Sequence, residues 1–255
     1  MIPADDRGLT LGDGLFETIL ARDGELVLLD AHLDRMTRGC GALGLPPLGR
    51  ARARRLCEEA VATVEGRAAV RLTLTAGSGG RGLDRLGTPY PRLFATAAPA
   101  PTPQTPASLI TATVRRNEGS PASRLKTLSY LDNVLAREEA RAAGADEALM
   151  INNQGQVACA AAANVFWLEG GRLVTPALEC GVLEGIMRAK VIESAPSLGL
   201  VVEESCARPT DLARAEAIFL TNSLVGLRPV SGLDGKLFGP HAVIARLGTL
   251  LQSFA

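Results

Sequence analysis

Lysine is rare in this chain, so its lysines are the first residues to examine for chemistry. Of 27 basic residues, only Lys126, Lys190 and Lys236 are lysines. Arginine cannot replace lysine as a nucleophile, because its guanidinium group does not lose its proton in proteins. A lysine amine, in contrast, can attack an aldehyde and form a Schiff base. A sequence that otherwise uses arginine has kept lysine where an amine could matter.

Lys126 has the most informative surroundings of the three. It lies in the segment Ser123-Arg-Leu-Lys-Thr-Leu-Ser-Tyr-Leu-Asp-Asn133, just before a predicted helix. We interpret Lys190 and Lys236 as structural residues of an ordinary helix and of a glycine-containing turn. Lys126 is therefore the candidate anchor for pyridoxal 5'-phosphate (PLP), and a surface lysine at a helix start is the alternative interpretation.

Three segments could bind the phosphate group of such a cofactor, which needs amides at a helix start, a hydroxyl and a cation. Glu184–Arg188 opens a predicted helix, and Gly185 permits close approach of the backbone. Leu220–Ser223 places three polar side chains at a strand end, although turn formation explains them nearly as well. Arg35 offers a cation, but taken alone it is typical of a solvated helix residue.

The segment Gly77-Ser-Gly-Gly-Arg-Gly82 contains four glycines around one arginine. It matches neither the P-loop nor the dinucleotide-binding spacing, and a flexible loop would need no function. An arginine held in such a loop would nevertheless suit a carboxylate ligand, so Arg81 is a candidate substrate-binding residue.

Composition limits the classes of function. The formal net charge is zero, so no global field favours nucleic acid or an anionic membrane. The five cysteines are widely spaced and indicate neither a disulfide scaffold nor a metal site. The two histidines have no recognisable metal or triad partners. Without a signal segment or a bilayer-length apolar run, the expected location is the cytoplasm.

The chain is expected to form two domains joined by a proline-rich linker. Residues 93–107 hold four prolines and few large apolar side chains after Phe94. The predicted division is a smaller N-terminal domain, 1–96, a linker, 97–107, and a larger C-terminal domain, 108–255.

Turn signals and apolar patterns predict many short antiparallel strands with helices outside them, which is an α+β fold. The predicted strands are 16–20, 25–29, 68–75, 109–114, 147–151, 156–160, 165–169 and 172–175. The predicted helices are 31–43, capped by Asp30, 49–64, 132–143, capped by Asp132 or Ser129, one starting near Gly185, and one near 240–253.

Taken together, the segments resemble the class IV aminotransferase-like PLP enzymes of fold type IV, most closely aminodeoxychorismate lyase. The resemblance covers essentially the whole chain in order. The segments that carry it are Arg7-Gly8 with Leu11–Thr18, His32–Arg35, Gly77–Gly82, Lys126–Asn133, Ala145–Leu149, Ala163–Trp167, Leu183–Arg188 and Phe219–Ser223 with Arg228–Val230.

The resemblance implies two α/β domains of the D-amino acid aminotransferase kind, PLP at their interface, and a homodimer. Lys126 would form the Schiff base and act as acid and base. The implied cofactor-binding residues are Arg35, Cys159, Leu183, Ile186, Met187, Asn222 and Ser223, with Leu183 packing on the ring.

The implied reaction is conversion of aminodeoxychorismate to 4-aminobenzoate, a folate precursor, and pyruvate. The alternatives are a D-alanine or branched-chain amino acid aminotransferase, and a catalytically weakened PLP-binding protein. The weakened PLP-binding protein is an alternative because of Cys159. Family members usually have a glutamate at this position, five residues before the equivalent of Asn164. Relatives also carry an extra strand before Asp5, so the first sheet is expected to lose an edge strand unless the true start lies upstream.

Overall fold

The computed structural model describes residues 2–87, 89–100 and 106–254. The backbone divides into two compact units, residues 1–101 with 125–129, and residues 102–124 with 130–255. Each unit combines helices with a sheet, which confirms the predicted α+β fold. This division assigns Lys126 to the first unit, although the residue follows the proline-rich segment in sequence.

The first unit is built around one antiparallel sheet. Its elements are α1 (Arg7–Leu11), β1 (Gly14–Arg22), β2 (Glu25–Leu26), α2 (Leu29–Ala42), α3 (Arg50–Val61), β3 (Arg67–Thr75) and β4 (Arg92–Pro99). The strand order is β2-β1-β3-β4. β1 and β3 pair along their whole length, from Gly14 opposite Thr75 to Arg22 opposite Arg67.

The first residues of the predicted linker, 97–99, lie in a strand instead. These residues belong to β4, which pairs with β3 from Arg92 opposite Thr75 to Pro99 opposite Ala68. The prolines of the segment begin only at Pro99, so the residues before it keep the amide donors that a strand needs. Residues 101–105 lie outside the described part of the chain.

One face of this sheet packs against α2 and α3. Leu15, Ile19, Leu33, Met36 and Val70 are among its buried residues, and burying a side chain of this size contributes roughly 1.5–3 kcal/mol. The start of α2 differs from the start predicted for this helix.

α2 begins at Leu29 rather than after Asp30, and the preceding Leu28 has a φ of 53° with no side-chain cap bond. The predicted strand 25–29 is therefore only Glu25–Leu26. Of the other residues predicted for this strand, 27 and 28 form a turn and Leu29 opens the helix.

The second unit is built around a larger mixed sheet. Its elements are β5 (Ala107–Thr111), α4 (Pro121–Arg124), α5 (Leu131–Ala142), β6 (Glu147–Ile151), β7 (Val157–Ala160), β8 (Asn164–Glu169), β9 (Arg172–Pro176), a 3₁₀ turn (Leu178–Cys180), α6 (Ile186–Ser194), a 3₁₀ turn (Ala195–Leu198), β10 (Val201–Ser205), α7 (Pro209–Leu212), β11 (Ala217–Asn222), β12 (Gly226–Leu233), β13 (Lys236–Leu237), α8 (Ala242–Leu251) and a 3₁₀ turn (Gln252–Phe254).

The strand order is β10-β9-β8-β11-β12-β5-β6-β7, with β13 beside β12. The predicted hairpins β6–β7 and β8–β9 are confirmed as antiparallel pairs. β9–β10, β5–β6 and β12–β5 are parallel, contrary to the all-antiparallel expectation. Helical segments separate β5 from β6 and β9 from β10 in sequence, and such crossovers are what parallel pairing requires.

Helix α5 is positioned by small residues rather than by a side-chain cap. Its N-cap is Tyr130 and no side chain caps it, so the prediction of Asp132 or Ser129 as cap is wrong. Ala136 and Ala140 are fully buried in a cluster with Met150 and Cys159. Within the described residues, no helix has the length and apolarity needed to cross a bilayer.

Candidate active site

The backbone of Lys126 is hydrogen-bonded to β1, one of the two central strands of the first sheet. Its carbonyl accepts a hydrogen bond from the Phe16 amide at 2.9 Å, and the next residue, Thr127, forms an isolated bridge with Leu15. The Lys126 Nζ lies 4.3 Å from the centre of the Phe16 ring. The backbone and the ring therefore fix the amine next to β1.

A buried ion pair lies on the same strand. Glu17 is 1% exposed, and its Oε1 accepts a hydrogen bond from Arg35 Nε at 2.8 Å. Arg35 Nη2 lies 2.5 Å from Glu17 Oε2, which also lies 2.7 Å from His32 Nδ1. Both side chains come from α2, where residues three apart share a face. The carboxylate is thus enclosed by one guanidinium and one imidazole.

The electrostatics of this cluster fix its protonation. Burial alone would raise the pKa of Glu17, but the charge and hydrogen bonds of Arg35, with the hydrogen bond from His32, lower it to about 2. Burial lowers the pKa of His32. The hydrogen bond and charge of Glu17 raise this pKa, and the charges of Arg35 and Lys126 lower it. At neutral pH, Glu17 is ionised and His32 is neutral, donating its Nδ1 proton to the carboxylate.

Sequence analysis missed this cluster. It interpreted Arg35, taken alone, as a solvated helix residue, and found no partner for His32. The side chain of Arg35 is only 11% exposed, and the partner of both residues is Glu17. The available signal was a carboxylate between Leu15 and Ile19 on the core-facing side of a strand, since a buried charge requires a partner. The phosphate-binding role of Arg35 stays a prediction.

A second cation that sequence analysis did not single out is placed near Lys126. Arg71 on β3 has its guanidinium carbon 3.8 Å from the centre of the Phe16 ring. Because the Lys126 amine is 4.3 Å from the same centre, the two cationic groups are within about 8 Å of each other. Arg71 is therefore a candidate for binding a carboxylate near the amine.

The glycine-rich loop is held by Arg7 rather than left flexible. Arg7 is buried and donates to the carbonyls of Gly82, Leu83 and Asp84 at 3.2, 2.9 and 3.0 Å. Arg81 is exposed on this loop. Gly80 has a φ of +90°, and a Cβ there would lie 2.0 Å from the Asp84 carbonyl oxygen, so the turn requires glycine.

In the second unit, the start of α6 is shaped by Asn164. The Asn164 amide donates to the Leu183 carbonyl at 2.9 Å. A Cβ on Gly185 would lie 1.9 Å from Asn164 Oδ1, so residue 185 cannot carry a side chain without displacing the asparagine. No side chain caps the helix at Gly185, and the amides of Ile186 and Met187 belong to its first turn, where intrahelical acceptors are absent.

Arg188 does not supply the cation for this helix start. Its Nη2 donates to the Pro176 carbonyl at 3.0 Å and to Glu204 at 2.5 Å, and its side chain is 4% exposed. Arg188 therefore ties α6 to the ends of β9 and β10. Ile186 and Met187 are buried, and Leu183 is half-buried.

The end of β11 brings polar atoms to the same face of the sheet as Asn164. Thr221 lies directly opposite Asn164 in the strand pairing, and its Oγ1 is buried without a hydrogen-bond partner among the described residues. Asn222 Oδ1 accepts from the amides of Leu224 and Val225 at 3.0 Å each and so forms the turn. Ser223 is half-buried in that turn.

Cys159 is a buried neutral thiol. It lies on β7 opposite Met150 and is 6% exposed. Burial raises the pKa of the Cys159 thiol. The charge of Arg116 lowers this pKa, and the charge of Glu147 raises it. Arg116 is itself bound to the Gly181 carbonyl at 3.1 Å and to Asn133 at 3.0 Å.

The second unit fits a phosphate group. The open first turn of α6 offers amides, Gly185 lets the backbone approach an anion, and the Thr221 hydroxyl is an orphaned polar atom beside Asn164. This donor set matches the chemistry by which helix starts bind phosphates. The first unit supplies an amine on Lys126. A reactive amine and a phosphate-binding helix start are two kinds of group that PLP binding requires.

Comparison with known proteins gives the family. The model of the amino-transferase class IV family matches residues 14–233, and the chain belongs to this family. A Methanocaldococcus jannaschii protein named "Putative branched-chain-amino-acid aminotransferase" is 34% identical over 93% of this chain and 84% of its own length. The 4-amino-4-deoxychorismate lyase of Pseudomonas aeruginosa is 32% identical, with a TM-score of 0.89 over 99% of this chain and 94% of its own.

The cofactor follows from the family. A hypothetical aminotransferase of Mycobacterium tuberculosis, solved in a PLP-bound form, has 26% identity and a TM-score of 0.88 over 100% of this chain and 93% of its own. The protein is a PLP-dependent enzyme of class IV. The relatives include lyases and aminotransferases, so the family alone does not give the reaction.

The Glu17 ion pair predicts a pH-dependent stability. Because the pKa of Glu17 is lowered from 4.5 to about 2 on folding, the pair stabilises the folded state above about pH 5, and this stabilisation is lost as the pH falls towards 2. Glu17→Gln should lower the free energy of unfolding by about 3 kcal/mol at neutral pH. Urea denaturation at several pH values measures this difference.

The matched control is Glu25→Gln, which changes an exposed glutamate on the neighbouring β2. It should alter the free energy of unfolding by less than about 0.5 kcal/mol at every pH. A Glu17→Gln effect that is equally small, or that keeps its full size at acid pH, would contradict the assigned ionisation.

Proposed function

We propose that this enzyme is a PLP-dependent lyase that converts 4-amino-4-deoxychorismate to 4-aminobenzoate and pyruvate. The observation that carries the proposal is the buried neutral thiol of Cys159, at the position where family members usually have glutamate. This thiol helps the cofactor less than a glutamate would, and the elimination depends on that help less than transamination does.

When bound, PLP withdraws electrons from the carbon next to the substrate nitrogen. A glutamate strengthens this withdrawal by holding the proton of the pyridine nitrogen through its charge. The Cys159 thiol has a raised pKa, so it stays uncharged at neutral pH and cannot hold that proton in the same way. A charge-assisted hydrogen bond is worth roughly 1.5–3 kcal/mol, which is about one to two decades in rate.

Loss of this charge-assisted hydrogen bond should slow the two reactions by different amounts. Transamination relies on the cofactor to stabilise charge throughout. Formation of 4-aminobenzoate creates an aromatic ring as pyruvate leaves, so part of the driving force comes from the substrate itself. A buried thiol at position 159 therefore favours the elimination over the transamination.

Lys126 has two roles in this proposal. Its amine would bind the cofactor and, when free, would move protons at the carbon atoms next to the substrate nitrogen. The Phe16 ring holds the amine, and β1 holds the backbone of Lys126. This supports the role, because a proton carrier must stay within hydrogen-bond reach of the atoms it serves. Neutral His32, ionised Glu17 and Arg35 form a cluster with no net charge on the same strand and its neighbouring helix.

The substrate has two carboxylates, and two cations of the first unit suit them. Arg71 shares the Phe16 ring with Lys126, and Arg81 is exposed on the loop that Arg7 holds. In the second unit, the amides of Ile186 and Met187 with the hydroxyls of Ser223 and Thr221 would receive the phosphate of PLP. Leu183 would pack on its ring.

The second candidate is an aminotransferase for branched-chain or D-amino acids. The specific observation in its favour is the 34% identity with the Methanocaldococcus jannaschii protein named for branched-chain transamination. A weakened PLP-binding protein is the third outcome that the thiol at position 159 allows. On the family resemblance alone, we extend the proposal to a cytoplasmic homodimer in folate precursor synthesis, and a monomer mass in light scattering would remove the dimer from it.

Lys126→Ala should abolish covalent trapping of the cofactor. The variant lacks the amine, so borohydride treatment with PLP should leave no modified peptide and no visible absorbance of lysine-bound cofactor. Lys190→Ala is the matched control, because Lys190 pairs with Glu193 on α6 and should leave trapping unchanged. PLP trapped on Lys190 or Lys236 in the Lys126 variant would show that the anchor is wrongly assigned.

The reaction is tested by release of pyruvate and 4-aminobenzoate from aminodeoxychorismate, with PLP present and no keto acid. The lyase predicts equal amounts of both products over many turnovers. An aminotransferase predicts none without a keto acid, but turnover of branched-chain or D-amino acids once one is added. PLP held on Lys126 with neither activity would identify the weakened binder.

Cys159→Glu separates the contribution of the thiol in the same assay. It should raise any transamination rate by about one to two decades and change the elimination rate by less. Equal rates and an unchanged cofactor spectrum would show that position 159 does not act on the ring.

A further inference from the structure

Two cysteines outside the residues assigned to the cofactor lie in direct contact in the second unit. The Sγ atoms of Cys180 and Cys206 are 3.2 Å apart, and Cys206 Sγ lies 3.1 Å from Glu179 Oε1. Cys180 is buried and Cys206 is half-buried. A disulfide bond is about 2.05 Å long, so the two sulfurs would need to approach by only about 1 Å to form one.

The topology produces this contact although 25 residues separate the two cysteines. β9 and β10 are parallel neighbours, with Pro176 opposite Ser205, and so they end at the same edge of the sheet. The Ala177 amide continues the pairing by donating to the Ser205 carbonyl at 3.1 Å. Cys206 follows β10 directly, and Cys180 closes the 3₁₀ turn after β9, which brings the two sulfurs together.

We propose that Cys180 and Cys206 form a reversible intramolecular disulfide when the protein meets a small-molecule disulfide such as glutathione disulfide. The pair is a modification site distinct from Lys126 and from the start of α6. Nothing in the sequence spacing indicates it, because the pairing depends on a parallel strand contact.

The chemistry occurs in two exchanges. Glu179 accepts the Cys206 thiol proton, and the Cys206 sulfur attacks the small disulfide, forming a mixed disulfide and releasing one thiolate, which takes up a proton. Cys180 then loses its proton and attacks the Cys206 sulfur, displacing the second small thiol. Two protein thiols are oxidised, one small disulfide is reduced to two thiols, and the protons balance.

The local chemistry sets the rate. Burial raises the pKa of Cys180, and partial burial with the hydrogen bonds to Cys180 and Glu179 raises the pKa of Cys206. The thiolate is the reactive form, so the first exchange is slow at neutral pH and should accelerate by about tenfold for each pH unit. The second exchange is intramolecular between touching sulfurs and is therefore fast.

The site is connected to the segment that precedes α6. Gly181 follows Cys180 directly, and its carbonyl accepts the hydrogen bond from Arg116 Nε at 3.1 Å. A Cβ on Gly181 would lie 2.9 Å from the Glu118 backbone. The chain around Cys180 is thus tightly packed, so the movement in ring closure falls mainly on the less buried Cys206.

The test is oxidation of the PLP-loaded enzyme with glutathione disulfide, followed by alkylation under denaturing conditions and peptide mapping. The reduced chain has five thiols, and we expect two to disappear, with one peptide pair joined through Cys180 and Cys206. Dithiothreitol should restore both thiols. Cys57→Ala keeps the pair and should behave like the wild type, whereas Cys206→Ser should keep all its remaining thiols and carry no glutathione.

Several outcomes would overturn the proposal. They are an unchanged thiol count after prolonged oxidation at alkaline pH, a stable mixed disulfide on Cys206 with Cys180 still open to alkylation, and a linkage between other cysteines. The peptide map of the wild type decides among these even if a variant fails to fold. An oxidation rate that does not rise with pH would contradict the assigned role of the thiolate.

Discussion

The ion pair between Glu17 and Arg35 is the interaction on which the first unit depends. A carboxylate that is 1% exposed cannot stay ionised without partners, and an unpaired partner would be equally costly. Because Glu17 lies on β1 and Arg35 and His32 lie on α2, the pair fixes the helix against the strand. The same strand binds the backbone of Lys126 and carries the Phe16 ring next to its amine, so β1 positions both the ion pair and the Lys126 amine.

In the second unit, the comparable constraint is steric rather than electrostatic. Gly185 lies so close to Asn164 Oδ1 that a side chain at position 185 would displace the asparagine. The Asn164 amide donates a hydrogen bond to the carbonyl of Leu183. This arrangement leaves the first turn of α6 open, while Arg188 is turned away to Glu204 and Pro176. A helix start without a cap is unfavourable alone, and it persists because the neighbouring strand β8 defines its path. An anion that uses its amides offsets that cost.

Sequence analysis predicted much of the fold, because hairpins, helix lengths and the α+β class follow from local patterns. It missed β4, since a proline-rich end hid the donor-rich residues before it, and it missed the parallel pairs, since pairing across a crossover has no local signature. For the site, the rarity of lysine made Lys126 the candidate anchor, and the family resemblance supplied the other candidate residues. The partner of Arg35 and the contact between Cys180 and Cys206 depend on which strands become neighbours, and that is decided by tertiary packing.

The most direct test of this account is the state of His32, because burial should keep its ring neutral while an ionised Glu17 should hold its proton on Nδ1. The chain has two histidines, so nitrogen NMR of histidine-labelled protein resolves them, and a His241→Gln variant assigns the signals. The account predicts that His32 is neutral at about pH 7 to 8, with its proton on Nδ1. A doubly protonated ring at neutral pH, or a neutral ring with its proton on Nε2, would contradict it.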